Sequence, residues 1–271
     1  MHDYTIVADP DRLVLLVAPL LGLLIGSFLN VCIVRWPAME SVVKPRSRCP
    51  QCGNLIAWYD NIPVLSWLML RAKCRHCKLP IPWRYPLIEL VTGAIWFWAA
   101  WQYGYSLETL RAALFGTLLL GIAVTDAREY IIPDEFSIGG TAIGILFAFL
   151  PLWLGAGHPH ALGWRESLVG AAVGFALLWL VAWLGAKAFG KDAMGGGDIK
   201  MMAMIGAFLG WQGVLLTVFL GALFGTIIFL PLKLMGRDKL VPFGIFLAIG
   251  SALCWVVGPA MIEWYSRVMM G

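Results

Sequence analysis

The chain has 271 residues, of which 60% are hydrophobic and 13% charged, and its formal net charge is +4 at neutral pH. A soluble domain of this length needs far more polar surface to cover its core, so the composition excludes an ordinary soluble protein. Nucleic-acid binding is excluded as well, because the Trp and Phe residues lie within or beside apolar runs instead of on a clustered basic face.

Apolar runs recur from end to end, and a helix that crosses a bilayer needs ~20 mainly apolar residues. The sequence therefore predicts an all-α polytopic membrane protein with about eight transmembrane helices. In chain order they are predicted at residues 13–34, 87–101, 107–125, 136–154, 167–186, 199–209, 214–232 and 243–262. The sixth is too short to cross alone, so we expect it to begin inside the membrane or to extend beyond these bounds. Because residues 1–12 are net acidic, the first run is predicted to be a retained span and not a signal peptide.

Basic residues indicate the orientation. Eight crossings put both termini on one side, and the polar segments on the other side are residues 35–86, 126–135, 187–200 and 233–241. These segments hold 16 of the 20 Lys and Arg residues, leaving only Arg12, Arg111, Arg165 and Arg267 opposite. The positive-inside rule predicts that the richer side faces the cytoplasm and that both termini are periplasmic. A multi-pass protein of the bacterial inner membrane is expected.

Four cysteines in the polar segment after the first span form two C-x-x-C pairs, Cys49, Cys52 and Cys74, Cys77. Each pair can chelate from one tight turn, and two such turns supply the four thiolates of a tetrahedral zinc site. Disulfides are not expected on the reducing cytoplasmic side. A site with four thiolate ligands leaves no position open for water, so the zinc is predicted to be structural.

Two aspartates lie at the predicted cytoplasmic boundary of the membrane. Asp126 ends the third span, and Asp198 opens the sixth, directly after Gly195–Gly197. Ionisable groups at such depth are candidates for function. Two carboxylates brought together share a proton, and the pair can then activate water while it polarises a peptide carbonyl. Asp134 follows a proline and is interpreted instead as the N-cap of the next helix.

Several segments, in order, resemble the bacterial type IV prepilin peptidases, membrane aspartic proteases of the GxGD type. The resemblance is carried by residues 26–37 (GSFLNVCIVRWP), the two cysteine pairs around residues 61–67 (NIPVLSW), residues 84–89 (RYPLIE), Thr125 to Pro133, Gly195 to Lys200, and residues 241–246 (VPFGIF). It implies that Asp126 and Asp198 are the catalytic pair and that Cys49, Cys52, Cys74 and Cys77 bind zinc.

The resemblance also implies the substrates, which are prepilins and type II secretion pseudopilins whose short basic leader is cut next to a hydrophobic helix. Cysteine-containing members typically methylate the new N-terminal amine with S-adenosylmethionine, although no nucleotide-binding loop is recognisable and Ala72 stands where Gly is frequent. A pilus or type II secretion assembly machinery is the expected partner. The basic leader suggests an acidic or neutral path near Glu89, Glu129 or Asp134.

These interpretations divide the chain into three parts: residues 1–34, a periplasmic tail and the first transmembrane helix; 35–86, a cytoplasmic four-cysteine zinc-binding domain; and 87–271, a membrane-embedded aspartic peptidase domain. Three alternatives stay open at this point. The protein could be a peptidase without methylation, a cation- or proton-coupled transporter that uses the same aspartates, or a membrane scaffold that docks a partner through the zinc insertion.

Overall fold

A computed structural model of the chain describes residues 10–154, 162–190, 194–234 and 242–270. Several sequence predictions lie outside the described residues. They are the periplasmic tail at residues 1–9, Val241 of the C-terminal signature, and the basic loop residues Lys191, Arg237 and Lys239.

The described part of the chain is almost wholly helical, and its only β pairing is two isolated bridges, Arg48 with Leu55 and Lys73 with Pro80. The helices are α1 (Pro10–Arg35), α2 (Leu65–Met69), α3 (Arg84–Tyr103), α4 (Leu107–Glu129), α5 (Asp134–Leu154), α6 (Trp164–Phe189), α7 (Gly196–Leu234) and α8 (Phe243–Met270), with a short 3₁₀ helix at Trp58–Asn61. By length and composition, 6 of them could cross a membrane. The predicted fold class, an all-α polytopic membrane protein, is confirmed.

Helix α7 contains both the sixth and the seventh predicted spans, and it is interrupted at Gly210, which has φ 71° and ψ 178°. A Cβ atom built on Gly174 of α6 would touch the carbonyl oxygen of Met202 and also lie 3.3 Å from Cγ2 of Val214. In one straight helix these two residues would be about 18 Å apart along the axis. The chain therefore reverses direction at Gly210, a conformation that glycine adopts without a Cβ clash.

Contacts divide the chain into two compact units, residues 1–117 and residues 118–271. In the first unit, α1 and α3 approach closely where α1 carries two glycines four residues apart. A Cβ on Gly22 would lie 2.8 Å from Cβ of Trp96, and one on Gly26 would lie 2.7 Å from Cα of Glu89. Small residues at this spacing let membrane helices pack backbone to backbone. The cysteine-containing insertion lies between these two helices in the chain.

The second unit is built around α7, which packs against α5, α6 and α8. Gly170 of α6 and Gly206 of α7 meet so closely that a Cβ on either would collide with the other's backbone. The Ser167 hydroxyl adds a hydrogen bond of 2.8 Å to the carbonyl of Ala207. This contact fixes the first half of α7, which begins with the glycines and Asp198, against α6.

Candidate active site and metal centre

Asp126 lies near the end of α4 and its side chain is buried, with 6% exposed. Its Oδ2 accepts a hydrogen bond of 3.2 Å from the backbone amide of Ile245, and the amide of Gly244 donates to it as well. Both amides belong to the first turn of α8, where backbone N–H groups have no partner inside the helix. The start of α8 therefore holds the carboxylate in place, and the partial positive charge of a helix N-terminus suits it.

Asp198 is the third residue of α7 and is half-buried. The backbone of Gly195 is hydrogen-bonded to its carboxylate, and a Cβ on Gly195 would lie 3.3 Å from Oδ2. The carboxylate of Asp126 is close enough for its charge to act on Asp198. The two predicted aspartates, 72 positions apart in the chain, thus lie in one electrostatic neighbourhood of the second unit.

A single side chain, Ile132, links the two carboxylate-bearing segments. A Cβ on Gly197 would lie 2.9 Å from Cβ of Ile132, and a Cβ on Gly244 would lie 2.9 Å from its Cδ1. Ile132 itself is 8% exposed. The residue before Asp198 and the residue that bonds Asp126 therefore pack on the same apolar side chain, which brings the two segments together.

Gly244 was part of a sequence signature, but the sequence assigned it no role. A Cβ at this position would lie 2.7 Å from Oδ2 of Asp126. The glycine is therefore required for the carboxylate to reach the α8 amides. The sequence contained a signal, a glycine in the first turn of a predicted span, but only the packing of α8 against α4 reveals its partner.

Each of the three acidic residues suggested for the path of a basic leader is already paired or hydrogen-bonded within the chain. Asp134 forms an ion pair with Nζ of Lys200 at 2.7 Å. Glu89 is 8% exposed and accepts a hydrogen bond of 2.8 Å from the amide of Val64. Glu129 lies 3.7 Å from Arg128. The negative charge of Asp134 is therefore balanced, and Glu89 serves to hold the insertion against α3.

The four cysteines of the insertion form one cluster, in which the ligand atoms all lie within 4.8 Å of one another. The sulfurs of Cys49 and Cys77 are 3.9 Å apart. Four sulfurs at ~2.3 Å from a tetrahedral metal ion would be separated by roughly 3.8 Å. The donor set and its spacing thus fit a tetrahedral metal ion.

The two cysteine pairs have the same backbone conformation. In the first, the amide of Cys49 donates to the carbonyl of Asn54, and Gly53 donates back to Cys49, both at 2.9 Å. In the second, Cys74 donates to Leu79 at 2.9 Å, and Lys78 donates back to Cys74 at 3.1 Å. The residue after each pair has a positive φ, 70° at Gly53 and 59° at Lys78. Each pair is therefore one tight turn, repeated.

The backbone of these turns also tunes the thiols. The pKa of Cys74 is lowered to about 7, chiefly because the amides of Cys77 and His76 donate to its sulfur. At Cys77 the amide of Leu79 acts to lower the pKa, but desolvation and the neighbouring thiols outweigh it and raise the pKa to about 11. Four sulfurs at this spacing repel one another as thiolates, and a bound cation relieves that repulsion.

Arg75 lies between the second pair of cysteines, and its charge is directed at a carboxylate. Its guanidinium makes two hydrogen bonds, of 2.7 and 2.6 Å, to the carboxylate of Asp60. This pairing holds the pKa of Asp60 below its usual range. Because Asp60 belongs to the short 3₁₀ helix, the bond ties that helix to the second cysteine turn.

Comparison with known proteins gives two family matches that together cover most of the chain. Residues 20–103 match the bacterial peptidase A24 N-terminal domain, and residues 113–230 match the type IV leader peptidase family. No solved structure matches the chain.

Curated relatives carry the name prepilin leader peptidase/N-methyltransferase. The protein of Myxococcus xanthus is 43% identical over 208 residues, which is 77% of this chain and 60% of the relative. The proteins of Aeromonas hydrophila and Pseudomonas aeruginosa are 33% and 35% identical. The alignment with the Aeromonas hydrophila protein covers 91% of each chain. The alignment with the Pseudomonas aeruginosa protein covers 87% of this chain and 88% of the relative.

Proposed function

This chain belongs to the type IV leader peptidase family, and from that premise we propose that it cleaves the leader from prepilins and pseudopilins. The observation that carries the proposal is the shared neighbourhood of Asp126 and Asp198 around Ile132. The two residues come from different helices and belong to the second unit, most of which lies in the matched peptidase segment. Ionisable groups buried at the end of a membrane helix are candidates for function.

The proposed chemistry is general acid–base catalysis by the aspartate pair. One carboxylate takes a proton from a water molecule, which attacks the carbonyl carbon of the scissile bond. The other, protonated, donates a hydrogen bond to the carbonyl oxygen, and a proton then passes to the leaving amine. Such a pair titrates as a unit, so neither aspartate is given one fixed role. The α8 amides hold Asp126 for this reaction.

We propose that Cys49, Cys52, Cys74 and Cys77 bind a structural zinc ion. The tetrahedral spacing of their sulfurs supports this assignment. Four thiolate ligands leave no position for water or substrate, so the ion contributes folding free energy to the insertion and takes no part in cleavage.

We propose as well that the new N-terminal amine of the substrate is methylated from S-adenosylmethionine, as the names of the relatives suggest. A site for this donor must accommodate a sulfonium and an ammonium charge. Two carboxylates of the first unit are already committed, since Asp60 binds Arg75 and Glu89 binds the amide of Val64. We therefore assign no residue to the methyl donor and derive no step through it.

The chain is a multi-pass inner-membrane protein, and we propose the orientation and the three-part division given by its sequence. Both termini would be periplasmic, with residues 35–86 and the aspartates facing the cytoplasm. The expected partners are prepilins, pseudopilins and the machinery that assembles them into a pilus or type II secretion system. Reporter fusions to residues 78 and 157 should report opposite sides of the membrane, and the reverse or the same side would overturn this topology.

Mass spectrometry of the amino terminus of a co-expressed prepilin tests both activities in one experiment. We expect loss of the leader together with addition of one methyl group. Leader loss without a methyl group would support the peptidase-only alternative. Purified protein in detergent should also cleave without any ion gradient, a result that transport cannot explain. Cleavage that requires a gradient would overturn the proposed function.

A further inference from the structure

A cleft of about 360 Å³ lies in the first unit, between α1 and the segment that follows it. Five residues of α1 line it, Leu24, Ser27, Phe28, Val31 and Arg35. Their spacing of 3 or 4 residues, with Ser27 and Phe28 adjacent, puts them on one face of the helix. This face differs from the one with Gly22 and Gly26, which packs on α3. The cleft is therefore open on the outer side of α1.

The residues that line the cleft differ in polarity and charge between its two ends. From Leu24 to Arg35 it runs along α1 for about 16 Å, roughly half the ~30 Å thickness of a bilayer's hydrocarbon core. Away from Arg35, α1 lines it with Leu24, Phe28 and Val31 together with the hydroxyl-bearing Ser27, and all four lie within a predicted span. Its mouth carries the two guanidinium groups of Arg35 and Arg46. A mainly apolar slot along a predicted span thus ends in two positive charges.

Among the described residues, no carboxylate is paired with the charges at the mouth. No carboxylate lines the described cleft, and no ion pair joins Arg35 or Arg46 to an acidic residue in the part of the chain that the structure describes. Arg35 is held in position, since its guanidinium donates a hydrogen bond of 2.8 Å to the carbonyl of Ser41. The Ser41 hydroxyl in turn accepts hydrogen bonds from Val43 and Lys44 at 3.3 Å.

The outer wall of the cleft is continuous with the first cysteine turn. The amide of Ile56 donates to the carbonyl of Ser47 at 2.9 Å, and both residues line the cleft. The next pair inward, Arg48 and Leu55, forms an isolated β-bridge, and Cys49 with Asn54 closes the turn. The backbone pairing of the first cysteine turn therefore continues without a break into the outer wall of the cleft.

We propose that this cleft binds an anionic phospholipid, with an acyl chain in the apolar slot and the phosphate between Arg35 and Arg46. The paired guanidinium groups suit a phosphate, and basic pockets at the cytoplasmic ends of membrane helices bind anionic headgroups. The basic leader and the cationic end of S-adenosylmethionine would both be repelled by this mouth. The site is separate from the aspartates and does not depend on their chemistry.

Native mass spectrometry of the full chain, released from nanodiscs that contain equal phosphatidylglycerol and phosphatidylcholine, tests the proposal. The unaltered chain should retain phosphatidylglycerol in preference to phosphatidylcholine. Arg35→Gln and Arg46→Gln should each lower that preference about fivefold, as expected for one lost phosphate–cation contact. The control Arg71→Gln/Lys73→Gln removes two exposed charges that do not line the cleft, and it should leave the preference unchanged.

Each other result overturns the proposal. An equal loss in the control would mean that the general charge of the insertion attracts the lipid. Displacement of the lipid by millimolar glycerol phosphate would mean a site for phosphate alone. Loss of S-adenosylmethionine retention, with lipid retention unchanged, would assign the cleft to the methyl donor. If Arg35→Gln fails to fold, Arg46→Gln decides, because no hydrogen bond of its side chain to another described residue is lost.

Discussion

The cysteine cluster and the aspartate pair are built in opposite ways. Each cysteine turn is local, closed by hydrogen bonds between residues 4 or 5 positions apart, and the same turn is used twice. The aspartates come from α4 and α7, and their placement depends on the α8 amides that hold Asp126 and on Ile132, which packs against both segments. The first site is specified by short sequence motifs, whereas the second is specified by tertiary packing. Damage to one should therefore leave the other intact.

The largest effect that separates the two sites is expected at the aspartates. Asp126→Asn and Asp198→Asn each remove one member of a pair that acts as a unit, so kcat/KM for prepilin cleavage should fall at least about 1,000-fold. Metal content, measured by elemental analysis of the purified protein, should not change. Substantial cleavage by either variant would remove that aspartate from the proposed mechanism.

Gly244→Ala tests whether packing around the pair matters as much as the carboxylates. The new methyl group would meet Oδ2 of Asp126 at 2.7 Å and push the carboxylate away from the α8 amides. A shift of this kind can lower a rate about 100-fold, and kcat should carry most of the loss. Gly139→Ala is the control, because a Cβ there meets nothing within 4 Å. Equal activity of the two variants would show that Asp126 tolerates displacement.

Removal of the metal should affect the cysteine cluster and leave the aspartate pair largely unaffected. Cys49→Ser takes one ligand from the cluster, so we expect loss of bound zinc and faster proteolysis of residues 35–86. Cleavage of prepilin should stay within about tenfold of the unaltered protein, because the ion is proposed to stabilise the fold and not to react. Cys254→Ser is the matched control, since this thiol lies outside the cluster. A loss as deep as that of Asp126→Asn would connect the metal to catalysis.

The smallest effect is expected at the ion pair beside the aspartates. Lys200 and Asp134 are 39% and 55% exposed, and pairs this exposed contribute about 0.2–1 kcal/mol. Lys200→Gln should therefore change kcat/KM by less than about threefold, with a small drop in the thermal midpoint. A loss comparable to that of Gly244→Ala would instead give Lys200 a role in substrate binding.

The sequence predicted what is local and left out what depends on packing. Each C-x-x-C pair forms its turn with its own neighbours, so the cluster of Cys49, Cys52, Cys74 and Cys77 could be read from spacing. Asp126 and Asp198 could be selected as candidates from their positions at the ends of spans. The amides of Gly244 and Ile245 could not, because nothing in the chain near Asp126 identifies α8 as its neighbour.

The sequence was likewise limited in predicting the transmembrane spans. Six helices qualify as spans by length and composition, against about eight predicted from the apolar runs. The ends were not predictable from those runs, because α3 and α4 continue into polar residues at Arg84 and Glu129. The predicted sixth and seventh spans correspond to the two parts of α7 on either side of Gly210, where the backbone is not helical. Both halves of α7 pack beside Gly174 of α6. The sequence could not predict this contact, because it depends on how the two halves of α7 pack against α6.

Because the chain reverses direction at Gly210, the first half of α7 has a fixed length. Residues 196–209 form 14 residues of helix, which reach about 21 Å, less than the ~30 Å of a hydrocarbon core. Asp198 and Gly210 are 12 residues apart, so the reversal lies about 18 Å from the aspartate along the helix axis. Under the proposed mechanism, the number of helical turns between Asp198 and Gly210 would fix how far from the reversal a membrane-anchored polypeptide is cut. One added turn would raise the cutting level by about 5 Å.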